Sequence, residues 1–113
     1  MWGAAAGPLG GPILETAVLL QIVKAFVSRG EEPRIYFWRA SAGAEVDLVV
    51  ATGGKLIPIE VKLSSTPRPA MANWIRVFRE DLGEKAAPSF VIHPGEVRLP
   101  LAPHVVALPF SEL

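Results

Sequence analysis

Apolar and polar residues alternate along this chain with two periods, one typical of helices and one typical of strands. An apolar run with polar residues at helical spacing predicts a first helix that ends before Gly30. Stretches rich in β-branched residues, bounded by glycine and proline, predict strands. The predicted elements are, in order, a helix at 13–28, strands at 34–40, 45–52 and 55–62, a helix at about 69–82, and strands at 88–93 and 105–108.

The strands at 45–52 and 55–62 are joined by Gly53 and Gly54, which supply the positive φ angles that a tight hairpin turn requires. If these glycines form the loop, Thr52 lies opposite Lys55 and the two strands run antiparallel. Because side chains alternate along a strand, one face is apolar throughout, and a slip of one residue would mix the two faces. The residues predicted on this apolar core face are Val46, Leu48, Val50, Ile57, Ile59 and Val61.

The same pairing places four charged residues on the opposite face of the hairpin. Asp47 lies opposite Glu60, and Glu45 lies opposite Lys62. Two carboxylates with β-carbons about 5 Å apart repel each other unless a positive charge lies between them. Oxygen ligands at that separation suit Mg²⁺ or Mn²⁺, and Lys62 adds a charge that can hold a phosphoryl oxygen or orient a water. The alternative is a set of solvated ion pairs, such as Glu45 with Lys62.

Glu15 lies away from the polar stripe of the first predicted helix. At about 100° per residue, it is about 160° from the centre of that stripe and follows a line of apolar residues. The apolar residues on this line are Leu19, Ile22 and Phe26. A buried, unpaired carboxylate is costly, so an inward Glu15 should meet a cation or become protonated. The alternative is a first-turn acid that is favoured by the helix dipole and reaches solvent.

The predicted order of elements carries an acid in the first helix, Asp47 in the second strand and Glu60-Val61-Lys62 in the third. This arrangement resembles the PD-(D/E)xK nuclease fold, including that of archaeal Holliday-junction resolvases. It is still more similar to a C-terminal domain of unknown function that follows the ATPase module in a group of bacterial and archaeal AAA+ proteins. The segments that carry this likeness are Gly11–Glu15, Tyr36–Arg39, Gly43–Val49 and Leu56–Lys62, followed by Ser64.

The resemblance implies an α/β, restriction-endonuclease-like core with the order α-β-β-β-α-β and a mixed sheet flanked by helices. It implies a single nuclease-like domain at 11–113. The low complexity of residues 1–7 predicts that the preceding segment at 1–10 is disordered or flexible. As the C-terminal domain of an ATPase-type protein, such a domain is expected to bind DNA or to hydrolyse its phosphodiesters with Mg²⁺.

The resemblance also implies roles for particular residues. Asp47, Glu60 and the backbone carbonyl of Val61 would ligate Mg²⁺ or Mn²⁺. Lys62 would assist the attack of water on a phosphodiester, and Glu15 would orient or extend the metal site. These are the residues expected to act in a Mg²⁺-dependent endonuclease.

The overall charge does not point to nucleic acid, because 11 basic and 11 acidic residues give a formal net charge of zero. Between residues 48 and 79, however, Glu60 is the only acid among several bases. Contacts to nucleic acid are therefore expected from Arg68 and Arg76, together with Arg39 in the shared motif. The alternative is an ordinary solvated helix face.

Half of the residues are apolar, which indicates an exposed apolar face that meets an ATPase module or a second copy of the chain. The chain has no cysteine, so disulfides and thiolate zinc sites are excluded, and a cytoplasmic location is compatible with this. His93 and His104 are expected at the surface or at strand ends rather than as ligands. The longest apolar run, at 17–27, contains Gln21 and Lys24 and is too short to cross a membrane.

Three functions remain open from the sequence. The first is a Mg²⁺-dependent endonuclease acting on DNA. The second is a nuclease-fold module that binds nucleic acid or a partner without cutting, and the third is a structural accessory domain. Metal binding at Asp47 and Glu60 separates the first from the third, and DNA affinity in Ca²⁺ separates the second from the third.

Overall fold

The computed structural model of the chain describes residues 10–40, 43–64, 66–83 and 88–113. Its elements are α1 (Gly10–Ser28), β1 (Ile35–Arg39), β2 (Glu45–Thr52), β3 (Lys55–Val61), α2 (Asn73–Leu82), β4 (Ser89–His93), β5 (Leu99–Ala102) and β6 (Val105–Pro109), with 3₁₀ turns at Pro69–Ala72 and Phe110–Glu112. The predicted order is confirmed, although β5 is absent from the prediction. The flexible segment expected at 1–10 lies outside the described residues except for Gly10, which begins α1.

The six strands form one mixed sheet in the order β1-β2-β3-β4-β6-β5. β1, β2 and β3 are antiparallel neighbours, whereas β4 runs parallel to both β3 and β6. β5 closes the far edge, antiparallel to β6. Because parallel neighbours cannot be joined by a hairpin, the chain crosses from β3 to β4 through α2. The fold class is therefore mixed α/β.

The hairpin between β2 and β3 has the predicted register. Thr52 pairs with Lys55, and the pairing continues to Leu48 with Ile59. The two turn glycines have φ angles of 57° and 77°, so both adopt the left-handed conformation of a type I′ turn. This turn matches the twist of the flanking strands, and it fixes the register of the pairs between the turn and the Leu48–Ile59 pair.

A β-bulge interrupts the pairing of β2 with its other neighbour, β1. Tyr36 pairs with Val49, but Trp38 pairs with Val46, so Phe37 faces two residues of β2 instead of one. A bulge leaves an extra residue in one strand and redirects the side chains that follow it. The side-chain alternation of β2 therefore changes phase at Asp47 and Leu48.

The bulge decides which valines of β2 pack together. Val46 is buried with Val49 and Phe78 on the α2 side of the sheet. Leu48 is buried instead with residues of α1, on the other side of the sheet. The prediction that Val46 shares a core face with Leu48 and Val50 is thus wrong, because simple alternation does not hold across a bulge.

The core has two layers, one on each face of the sheet. Under α1, Val18 and Phe26 pack against β2, β3 and β4. Under α2, Ile75 and Phe78 are fully buried, and the Phe78 ring meets Trp38 edge to face with centroids 5.2 Å apart. Burying a side chain of this size stabilises the fold by roughly 1.5–3 kcal/mol. Both helices are thereby fixed relative to the sheet.

The outward side of α1 carries an exposed apolar line. Ile13, Leu20 and Val27 are 47%, 56% and 61% exposed, and they follow each other at intervals of seven residues. By length and composition, the 19 residues of α1 could also cross a membrane, so the expectation that the apolar run at 17–27 is too short is wrong, because the helix extends beyond that run at both ends. Core helices pass the same test. Its Leu14 and Val18 are fully buried against the rest of the domain.

Candidate metal and phosphodiester site

The candidate site lies where β2 and β3 separate. Backbone pairing of the two strands ends at Leu48 and Ile59, and side chains bridge the gap beyond it. The backbone N–H of Asp47 donates to Glu60 Oε1 at 2.8 Å, and the backbone N–H of Val61 donates to Asp47 Oδ2 at 2.8 Å. Each carboxylate therefore has one oxygen fixed by the opposite strand, and the other oxygen of Glu60 lies beside Lys62.

The separation of the strands has a structural cause on both sides. The bulge displaces β2 at Asp47, while β3 turns to pair with β4. In that parallel pairing Glu60 lies beside Val91, and the N–H of Lys62 donates to the carbonyl of Ile92 at 2.9 Å. The two acids thus take over hydrogen bonds that a regular antiparallel ladder would supply.

Lys62 connects this buried pair to solvent. Its Nζ lies 3.4 Å from Glu60 Oε2, and its side chain is 39% exposed, whereas that of Glu60 is only 3% exposed. A buried carboxylate requires a partner, and the flexible lysine stem provides one from the surface. The acid-x-Lys motif thus places a mobile positive charge directly on the buried acid.

All three acids expected at the site have raised pKa values. Burial, and then the charge of Asp47, raise the pKa of Glu60 to about 7, against the opposing effects of the Asp47 N–H and Lys62. Burial is also the main cause of the raised pKa of Asp47, which the Val61 N–H and Lys62 oppose. Burial and mutual repulsion therefore favour the protonated form of these acids more than the hydrogen bonds and Lys62 favour the ionised form.

Glu15 approaches the pair from α1. Partial burial raises its pKa first, followed by the charges of Asp47 and Glu45, so the carboxyl group lies close to both. Its side chain nevertheless remains exposed at the rim. Glu15 lines an open cleft of about 360 Å³. The other residues that line this cleft are Phe37, Trp38, Arg39, Glu45, Val46 and Asp47.

Glu45 and Lys62 do not form the ion pair that was the alternative interpretation of the sequence. Glu45 Oε2 lies 3.4 Å from Arg39 Nε, because these two residues face each other across β1 and β2. Lys62 pairs with Glu60, so the alternative Glu45–Lys62 ion pair is wrong. The cause is the separation of β2 from β3, because Lys62 lies opposite Glu45 only if the two strands remain paired to their ends.

The two remaining arginines expected to bind nucleic acid lie elsewhere. Arg76 is exposed on α2, and α2 covers the face of the sheet opposite α1. Arg68 is exposed just before the 3₁₀ turn that leads into α2. Of the three predicted arginines, the structure brings only Arg39 into the cleft with Glu15 and Asp47.

The histidines have structural positions. His93 ends β4, as expected for a strand-end residue, and it is fully buried. Its Nδ1 accepts from the Gly95 N–H at 3.0 Å, and its Nε2 lies 2.7 Å from the Val97 carbonyl. Both ring nitrogens therefore hold the loop after β4. His104 is exposed in the turn before β6, with φ at 64°.

The donor set can be tested against the needs of a divalent cation. Within residues 10–40, 43–64, 66–83 and 88–113, no three His, Asp or Glu side chains converge to hold a metal ion. The set implied by the resemblance is smaller and comprises Asp47, Glu60 and the carbonyl of Val61. An all-oxygen set of two carboxylates and a carbonyl fits Mg²⁺ or Mn²⁺, which retain waters in such sites.

A family of known proteins matches this chain along nearly its whole length. The model of a domain of unknown function, DUF4143, matches residues 10–113, which is nearly the whole chain. The chain belongs to the DUF4143 family. The shared domain thus includes α1, the β2–β3 hairpin and every candidate site residue.

Two relatives of this DUF4143 domain are the uncharacterized proteins Mb2031c of Mycobacterium bovis and Rv2008c of Mycobacterium tuberculosis. Each is 35% identical to the chain over 79 residues. The matched region covers 70% of this chain but only 17% of each relative. The chain therefore corresponds to a small part of these longer proteins.

Some contributors to the site are not apparent from residue types. The backbone N–H groups of Asp47 and Val61 hold the two carboxylates, and Phe37 lines the cleft. Phe37 belongs to the segment Tyr36–Arg39, which is one of the motifs that carry the family resemblance. Its place in that motif is the one sequence feature that could have indicated a role at the site. The bulge that turns Asp47 toward this cleft has no signal in the hairpin sequence alone.

Proposed function

We propose that this DUF4143 domain has a PD-(D/E)xK-type site that binds Mg²⁺ or Mn²⁺ and hydrolyses phosphodiesters in DNA. The observation that carries the proposal is the interlocked unit of Asp47, Glu60 and Val61, with Lys62 on the buried acid. A purely structural hairpin would be expected to continue its backbone ladder at this point. Here the ladder is replaced by two carboxylates, which is costly unless their charge is used.

The electrostatics support a cation at this position. Burial and mutual repulsion raise the pKa values of Asp47, Glu60 and Glu15, and Lys62 contributes one positive charge to the three acids. A divalent cation held by Asp47, Glu60 and the Val61 carbonyl would supply the missing charge. It would also favour the ionised form of each carboxyl group.

The residues around the cation then have separate tasks. When bound, the metal would polarise the phosphodiester and acidify a water. Lys62, anchored on β3 and partly exposed, would hold a phosphoryl oxygen and stabilise the charge that develops on it. Glu15, at the rim on α1, would orient the attacking water. Arg39 lies in the same cleft and would contact the DNA backbone, with Arg68 and Arg76 as more distant contacts.

A second candidate function is a partner-binding module of an ATPase-type protein that does not cut DNA. The specific observation in its favour is the exposed line of Ile13, Leu20 and Val27 on α1. An apolar surface of this kind is typical of an interface. The relatives are much longer than the matched region, so further parts of such proteins are available to cover α1.

Cleavage of DNA separates the two functions. Linear and branched DNA would be incubated with wild type, Lys62→Ala and Lys55→Ala in Mg²⁺, Mn²⁺ or EDTA. Lys55 starts the same strand at the other end, so it controls for loss of a positive charge on β3. We expect metal-dependent cleavage that falls about 100-fold or more in Lys62→Ala and little in Lys55→Ala.

The result that would overturn the proposal is equally clear. Cleavage that persists in EDTA, or that is equal in wild type and Lys62→Ala, would show that another protein or another site is responsible. No cleavage of any DNA by folded wild-type protein, in either metal, would favour the partner-binding function.

A further inference from the structure

Phe37 is an exposed aromatic residue at the edge of the candidate site. Its side chain is 73% exposed, although it belongs to a β-strand with buried neighbours on β2. Phenylalanine gains no hydrogen bond from solvent, and burial of its ring would be favourable. It lines the same cleft as Glu15 and Asp47. This position is better suited to contact a ligand than to stabilise the core.

The geometry of β1 fixes the side of the sheet on which this ring lies. Ile35 packs with the core under α1, and Trp38 packs with the core under α2. Because side chains alternate along a strand, Phe37 and Arg39 lie on the α1 side, whereas Tyr36 lies on the α2 side. The ring thus lies in the cleft with Glu15, Glu45 and Asp47, directly opposite the bulge in β2.

The neighbours of Phe37 indicate which ligand fits. Arg39 is on the same face two residues further along, and its 3.4 Å ion pair with Glu45 is exposed, so it contributes little stability and exchanges easily. An aromatic face with an adjacent arginine is the combination by which proteins hold unpaired nucleotides, the ring stacking on a base and the cation contacting the backbone.

We propose that Phe37 is a stacking platform for an unpaired base of the DNA that enters the candidate site. The inference rests on the proposed function and specifies its substrate class. A base inside a continuous duplex already stacks on both sides, so an exposed ring gains contact only with a base that is single-stranded, frayed or displaced at a branch. The domain therefore prefers DNA with unpaired nucleotides near the scissile phosphate.

The test measures binding without cleavage. A fluorescently labelled single-stranded oligonucleotide and the duplex of the same sequence would be titrated with protein in Ca²⁺ and in EDTA, with anisotropy as the readout. The variants are Phe37→Ala and Phe37→Trp. The matched control is Tyr36→Ala, which removes the adjacent aromatic ring, 58% exposed, from the opposite face of the sheet.

We expect Phe37→Ala to weaken binding of the single strand about tenfold or more, while Phe37→Trp retains it and Tyr36→Ala changes it less than about twofold. The duplex should bind more weakly than the single strand and should respond little to any of the three variants. Because Phe37 is largely exposed, thermal unfolding of the variants should remain close to that of wild type.

Several results would overturn the inference. These are equal losses in Phe37→Ala and Tyr36→Ala, an equal loss for duplex and single strand, or no binding of the single strand by wild type. A shift of Phe37→Ala to a smaller species in sedimentation would instead assign the ring to a contact between copies. If Lys62→Ala cleaves DNA as well as wild type while Phe37→Ala still weakens binding of the single strand, the proposed function alone is contradicted. If cleavage depends on Lys62 but Phe37→Ala binds the single strand like wild type, the stacking role of Phe37 alone is contradicted.

Discussion

Replacing Glu60 by glutamine should change how the stability of this domain depends on pH. Glu60 is buried, and its pKa rises from 4.5 to about 7 on folding. Between these two pH values the folded chain keeps a proton that the unfolded chain has released. The native state therefore loses stability as the pH rises through this window, and the full contribution is present only below pH 4.5.

The magnitude follows from the size of the shift. Each pKa unit corresponds to about 1.4 kcal/mol, so the shift of Glu60 from 4.5 to about 7 lowers the stability by about 3 kcal/mol at pH 8 relative to pH 4. Glutamine resembles the protonated acid and can still accept from the Asp47 N–H through its carbonyl oxygen. Glu60→Gln should therefore be more stable than wild type at pH 8 by up to about 3 kcal/mol.

Urea unfolding between pH 4 and pH 8, followed by tryptophan fluorescence, measures this difference. The control is Glu80→Gln, which removes an exposed carboxylate from α2, away from the three acids. Its pH dependence should follow that of wild type. Asp47 and Glu15 also have raised pKa values, so a shallower slope of the same sign should remain in Glu60→Gln. The reasoning is refuted if Glu60→Gln keeps the full slope, or if the wild-type stability rises from pH 5 to pH 8.

Three further predictions test other parts of the structure. Gly54→Ala places a side chain at φ 77° in the type I′ turn and should cost roughly 1–2 kcal/mol in thermal unfolding, whereas an unchanged Tm would mean that the turn relaxes. His93→Phe leaves the Gly95 N–H and the Val97 carbonyl without their partner. Hydrogen exchange in the loop after β4 should therefore accelerate, and the free energy of unfolding should fall by about 1–3 kcal/mol. Unchanged exchange would contradict this role of His93. Leu20→Glu should weaken any self-association through α1 in sedimentation velocity, and a wild-type chain that stays monomeric at high concentration would rule out a second copy on this face.

The hairpin is the part of the fold that sequence predicts best. Gly53 and Gly54 determine the turn type and therefore the register, because a two-residue loop between alternating strands leaves one pairing that keeps apolar residues together. The neighbourhood of Asp47 and Glu60 follows from local chemistry alone. The same argument fails for Val46, because the bulge arises from pairing with β1 and depends on contacts outside the hairpin.

Other differences have a similar physical origin. β5 contains Pro100 and follows a loop, so its sequence predicts an irregular segment, yet an edge strand tolerates proline. The burial of His93 depends on acceptors and donors within its own loop, which residue type does not reveal. Glu15 follows its predicted helical direction toward Asp47 but remains at the rim, because the position of α1 on the sheet is set by tertiary packing.

Calorimetric titration with Mn²⁺ in the presence of a short DNA duplex tests the central claim most directly. Wild type would be compared with Asp47→Asn, whose amide oxygen can still accept from the Val61 N–H, and with the exposed control Glu45→Gln. We predict that wild type and Glu45→Gln bind Mn²⁺ and that folded Asp47→Asn loses this binding. Equal binding by all three proteins, or no binding by wild type, would contradict the metal site and leave these acids as structural links between β2 and β3.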